Sequence, residues 1–104
     1  MPWRGSHSFL NEYILKNHCK RMMEIGVLDG GNAKAMIETA GKYSRTEEVE
    51  YYGFDFFTGP SFEQVRQKLE KTGCIFKLFK GDTLNTIPEA VKTLPMMDLI
   101  FITI

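Results

Sequence analysis

The 104-residue chain predicts an α/β fold, a parallel sheet held between helices in three layers. Two observations carry this. Apolar runs of strand length alternate with helical patterns, in the order helix, three strand–helix units and a last strand. Strands spaced by helices of this length pair in parallel through right-handed crossovers. Each strand also reads as a near-continuous apolar run instead of an alternating one, which fits a sheet covered on both faces.

Each element has a local reason. Phe9, Leu10, Tyr13 and Ile14 recur at helical spacing behind Ser8, an N-cap residue, and this helix fades near His18–Lys20. Arg21–Ile25 is the first strand. Asn32 to Thr39 is helical, with Ala33, Met36, Ile37 and Ala40 on one side and Gly41 as a stop. A charged connection over 44–48 leads to a second strand, Val49–Phe54. Thr58-Gly59-Pro60 breaks the chain. Ser61 then caps a third helix, Gln64 completes a capping box, and Phe62, Val65 and Leu69 face the core. Thr72-Gly73 end it before a third strand, Cys74–Phe79. Past Gly81-Asp82-Thr83, Thr86 is read as the cap of a fourth helix. Pro88 and Glu89 sit in its first turn, Ile87, Val91 and Leu94 are buried, and Pro95 is the stop. Met97–Ile104 is the fourth strand.

Composition narrows the function. Lys+Arg and Asp+Glu balance at 13 each, so nothing favours nucleic acid or an acidic membrane surface. No apolar run reaches the roughly 20 residues of a membrane span, and the polar start over residues 1–7 is not a secretory signal. Cys19 and Cys74 have no metal or redox spacing and are expected as reduced thiols, which fits a cytoplasmic location. Met22-Met23 and Met96-Met97 read as core filler. Asp29 reads as a turn residue, and His7 and His18 read as surface residues.

Chemistry concentrates where strands end. Glu24, Asp55 and Asp82 each stand just past, or at, the carboxyl end of a successive strand, the edge where open parallel sheets bind ligands. Glu24 is followed by a glycine turn through Gly26, Gly30 and Gly31. Each acid also has a plainer reading: a strand-end charge for Glu24, a solvated turn for Asp55, and an Asx turn for Asp82. Pattern alone therefore gives a three-carboxylate crevice beside a glycine turn and leaves the ligand open.

The local words are more specific. Glu24-Ile25-Gly26-x-x-x-Gly30-Gly31 resembles motif I of class I S-adenosylmethionine-dependent methyltransferases. Tyr52-Gly53-Phe54-Asp55-Phe56-Phe57-Thr58-Gly59-Pro60 resembles a stretch of the macrocin-type O-methyltransferases. Lys80-Gly81-Asp82-Thr83 with Ile87-Pro88, and Met97 to Ile102, resemble that family's third- and fourth-strand segments. The resemblance covers about residues 20–104 and implies a Rossmann-like sheet in the order 3-2-1-4. It implies S-adenosylmethionine as cofactor. Glu24 and Gly26 would lie by its methionine part, Asp55 by the ribose hydroxyls, and Asp82 with Thr83 by the adenine. Gly30 and Gly31 would let the first crossover helix start close to the sheet.

The chain also departs from the pattern. Leu28 stands where many methyltransferases have a second glycine. The acidic and histidine-containing continuation typical of the family after its fourth strand has no counterpart following Thr103-Ile104. The expectation is a single partial domain over 1–104, with an N-terminal helix in 1–20 and a cofactor-binding half in 21–104. It has no catalytic residue, no metal ligand and no turnover on its own. An unprotected fourth strand invites pairing, so a homodimer through that edge is expected. Two other readings stand beside this one. One is a non-enzymatic α/β oligomerisation module. The other is a fragment of a nicotinamide-dependent oxidoreductase, which the spacing disfavours: that fingerprint wants Gly-x-Gly-x-x-Gly with the acid roughly 20 residues on.

Overall fold

The computed structural model describes residues 8–103; the expectations for His7 and Ile104 lie outside the described residues. The elements are α1 (Ser8–Asn17), β1 (Arg21–Ile25), α2 (Gly31–Ala40), β2 (Glu50–Asp55), α3 (Ser61–Glu70), β3 (Ile75–Lys80), α4 (Thr83–Ala90) and β4 (Leu99–Ile102), with a 3-10 turn at Thr46–Glu48 before β2. The four strands form one parallel sheet in the order β3-β2-β1-β4.

That order follows from handedness. The crossovers through α2 and α3 step outward from β1 to β3, so right-handed connections place both helices on one face. The α4 crossover runs back past β1 to β4 and must lie on the other face. The chain therefore reverses direction between β1 and β4, which makes their carboxyl ends the switch point of the sheet.

The two faces carry unequal cores. Leu10 and Ile14 of α1, Met36 and Ile37 of α2, and Val65 and Leu69 of α3 pack with Met22 and Tyr51 in the larger cluster. Met23, Tyr52, Phe54 and Ala90 form a smaller one beneath α4. Adjacent residues such as Met22 and Met23 divide between the clusters because strand side chains alternate faces.

The central strands match the expected two-sided burial and the outer strands do not. Along β4, Leu99 and Phe101 pack on the larger cluster, while Ile100 and Ile102 remain 54% and 59% exposed. Along β3, Ile75, Lys77 and Lys80 are exposed. An apolar run signals two covered faces only where helices reach both, and α4 packs over β2 without covering β4.

Several local expectations are corrected. Phe9 and Tyr13 are exposed, because α1 buries the narrower Leu10–Ile14 stripe. α3 begins at Ser61 itself after Pro60, and the Ser61 hydroxyl donates back to the Thr58 carbonyl, so no capping box forms. α4 starts one turn early: Asp82, not Thr86, is its cap, its Oδ1 accepting the Leu84 N–H at 3.0 Å. Pro88 consequently lies inside the helix, and Val91 is exposed just past its end. Met96 is 87% exposed, whereas its neighbour Met97 packs on the smaller cluster.

α1 stops at a defined point. His18 takes a left-handed conformation and the Cys19 N–H returns to the Ile14 carbonyl at 3.2 Å, a Schellman-type ending. Tyr43 shares its hydroxyl proton with the Ile14 and Cys19 carbonyls, pinning that ending to the end of α2. His18 is exposed, as expected, and its ring packs at a tilt against the Tyr43 ring. Asp98 fixes the start of β1: one carboxylate oxygen accepts the Lys20 and Arg21 N–H groups, both at 2.9 Å. Those two amides hold its carboxyl below the usual value.

Two tests follow. A Cβ at Gly53 would lie 2.9 Å from the Tyr51 ring and from Val27, and 3.1 Å from Leu78. Gly53→Ala is therefore expected to destabilise the fold by about 1–3 kcal/mol in denaturant unfolding. Because the folded Asp98 carboxyl titrates below its unfolded value, its contribution is present above that value and lost as pH falls through the folded one. The stability gap between wild type and Asp98→Asn should be largest above about pH 5 and narrow as pH falls through and below the ordinary aspartate value.

Candidate functional site

At the switch point β1 runs out into the glycine turn, and its geometry is set by close backbone contact. Gly26 has φ +92, and a Cβ there would stand 2.7 Å from the Thr103 carbonyl oxygen. Only glycine meets both conditions. The Gly26 N–H reaches back to the Phe54 carbonyl and the Thr103 N–H to the Ile25 carbonyl, so both sheet ladders continue into the loop. Gly30, also left-handed, precedes α2, and the Asp29 carboxylate accepts the Gly31 N–H at 2.9 Å. Asp29 is thus the turn residue its position predicts. From α3, the Lys68 ammonium donates to the Asp29 carbonyl at 2.8 Å and ties the turn down.

Glu24 is the unusual residue. It is 1% exposed and sits on the face of the larger cluster. Its carboxylate accepts the Tyr51 hydroxyl at 2.5 Å and the Asn32 side-chain amide at 2.9 Å. Glu24 is the register partner of Gly53, and the missing side chain there gives the Tyr51 ring room to reach it. Burial pushes the Glu24 carboxyl up, the two hydrogen bonds oppose this, and the nearby Asp55 charge adds a smaller rise. Tyr51 is pushed well above the ordinary phenol value by burial and by Glu24 itself.

Asp55 ends β2 and turns toward the same loop. Its Oδ2 accepts the Val27 and Leu28 N–H groups at 2.7 and 2.9 Å, and its Oδ1 accepts that of Phe57 at 3.1 Å. Burial raises its carboxyl, but the amides of Leu28, Phe57, Val27 and Phe56 outweigh it and leave the carboxyl below its usual value. The clamp holds Leu28 in a left-handed conformation at φ 57. That is the position where the sequence lacks the second glycine. Strain of this kind in a branched residue costs about 1–2 kcal/mol, and the charged hydrogen bond offsets it.

These groups border a cavity of about 550 Å³ between α1, the ends of β1 and β4, and the start of α2. Glu24, Gly26 and Gly31 line it, together with Asn32, Thr103 and Asn11. Asp55 lines a smaller cleft of about 240 Å³ across the loop, with Thr58, Ser61 and Gln64. Asp82 and Thr83 line neither and open α4 instead. The three acids share an edge of the sheet, as expected, but not a single crevice. Tyr51, Asn32 and Asn11 were missed in the sequence. Tyr51 reads there as an ordinary strand aromatic, and Asn11 carries no motif.

No protein-family model matches the chain, and no curated protein matches it. Solved structures do match. A candidate O-methyltransferase from Klebsiella pneumoniae superposes with TM-score 0.75 at 22% identity, over 96% of this chain and 43% of its own. The SAH-bound methyltransferase PaMTH1 of Podospora anserina gives 0.69 at 26% identity, over 93% and 39%. TomG of Streptomyces achromogenes, an O-methyltransferase of tomaymycin synthesis solved with SAM, gives 0.73 at 16% identity, over 93% and 42%. The chain thus spans about two fifths of the length of the methyltransferases it matches. Its fold matches that of the corresponding part of those proteins.

Proposed function

We propose that this chain is the S-adenosylmethionine-binding part of a class I O-methyltransferase of the macrocin-like branch. The observation that carries this is the Gly26–Gly31 turn opening on a cavity of about 550 Å³ at the switch point between β1 and β4. A pocket of that size suits a nucleoside-sized ligand, and the start of α2 favours a negatively charged group there. In this reading Glu24, Gly26 and Gly30 shape the methionine end of the site. Asp55 meets the ribose hydroxyls, and Asp82 with Thr83 approaches the adenine. Asp82 keeps one oxygen for this role while the other caps α4. No residue of the chain is assigned to activate an acceptor hydroxyl. The chain alone is expected to bind cofactor and not to turn over, in a cytoplasmic setting.

Asp55 carries the sharpest constraint. A carboxylate offers about four acceptor sites, and three backbone amides take them here, which leaves about one for two ribose hydroxyls. Ribose hydroxyls must therefore share or replace loop amides. Isothermal titration with S-adenosylmethionine and with a nicotinamide cofactor tests the whole reading. Binding of the first and not the second is expected, and Asp55→Asn should weaken it by about tenfold while lowering the melting temperature. Absence of heat with S-adenosylmethionine overturns the proposal.

The position of β4 supports a second part of the proposal. β4 is the last strand on its side of the sheet, and Ile100 and Ile102 are exposed along it. We infer that two copies pair across a two-fold axis through β4, which makes the new strand pair antiparallel and buries both isoleucines. Light scattering should give a dimer for the wild type and a monomer for Ile100→Lys. A monomeric wild type at high concentration rules this out.

A further inference from the structure

We propose that α1 forms a wall of the ligand site and that Asn11 recognises the amino-acid end of the bound S-adenosylmethionine. This rests on the cofactor reading above and adds a residue outside the stretch that carries the family resemblance. Asn11 lines the cavity of about 550 Å³ together with Glu24, Gly31 and Asn32. Its side-chain oxygen is buried and makes no hydrogen bond. A buried carbonyl without a donor costs about 1–3 kcal/mol.

Two other polar groups of the cavity are engaged. Glu24 receives Tyr51 and Asn32, and the Gly31 N–H is held by Asp29. The Asn11 side-chain oxygen on this wall is buried and without a donor. The rest of the cavity specifies what fills it. The α2 N-terminus at Gly31 attracts an anionic group, while Asn11 asks for a donor. An α-amino acid presents a carboxylate and an ammonium on one carbon and satisfies both.

The test compares two ligands on wild type, Asn11→Leu and Asn11→Asp by isothermal titration. S-adenosylmethionine carries the amino-acid end and 5′-methylthioadenosine lacks it. Asn11→Leu should weaken S-adenosylmethionine about tenfold and leave methylthioadenosine unchanged, while Asn11→Asp, which keeps an acceptor, restores much of the loss. Thermal unfolding of each variant reports its folding. Equal weakening of both ligands, or no weakening of either, overturns the role of Asn11 and leaves the cofactor reading standing. A wild type that binds neither ligand overturns the cofactor reading and this inference with it.

Discussion

The site depends on one buried contact, the Tyr51 hydroxyl donating to the Glu24 carboxylate at 2.5 Å. It joins β2 to β1 inside the larger core, and the Asn32 amide extends it to the first turn of α2. A carboxylate at 1% exposure is tolerable only when its oxygens are matched. The contact therefore fixes three elements at once. It also explains Gly53, whose missing side chain is the space the Tyr51 ring crosses. The glycine turn inherits its position from this network, because Glu24 lies two residues before Gly26 and Asn32 one residue after Gly31.

β1 is held by carboxylates at both ends. Asp98 takes the backbone amides that begin it, and Asp55 takes those that follow it. Both acids belong to neighbouring segments of the sheet, so strand order and loop shape reinforce each other. The same arrangement places Leu28 in a conformation that glycine occupies at lower cost. The loop thus keeps its path without the second glycine because Asp55 supplies the compensating bonds. Any ligand that recruits Asp55 acts on the loop as well.

Much of the architecture was legible from the pattern of residues. Helix and strand order, the parallel pairing and the turn around Gly26 follow from apolar runs separated by glycine, and the implied order 3-2-1-4 is the one observed. Boundaries were harder to read. The start of α4 was misplaced because Thr86 and Pro88 form a good local signal, while Asp82 offers a stronger cap one turn earlier. Burial of the outer strands was overestimated, since Ile100 and Ile102 look like core residues unless the reach of α4 is known.

By itself the sequence determined the α/β class, the glycine turn and the three acids on the ligand edge, because these depend on local periodicity and on residues adjacent in the chain. Only the tertiary structure decided how the acids divide. Glu24 turns into the core and its cavity, Asp55 clamps the loop, and Asp82 caps a helix. It also brought Asn11 to the cavity wall and Tyr51 to Glu24, which lies 27 positions away in the chain. Contacts across that separation arise from the crossovers and the strand register, and no local pattern encodes them.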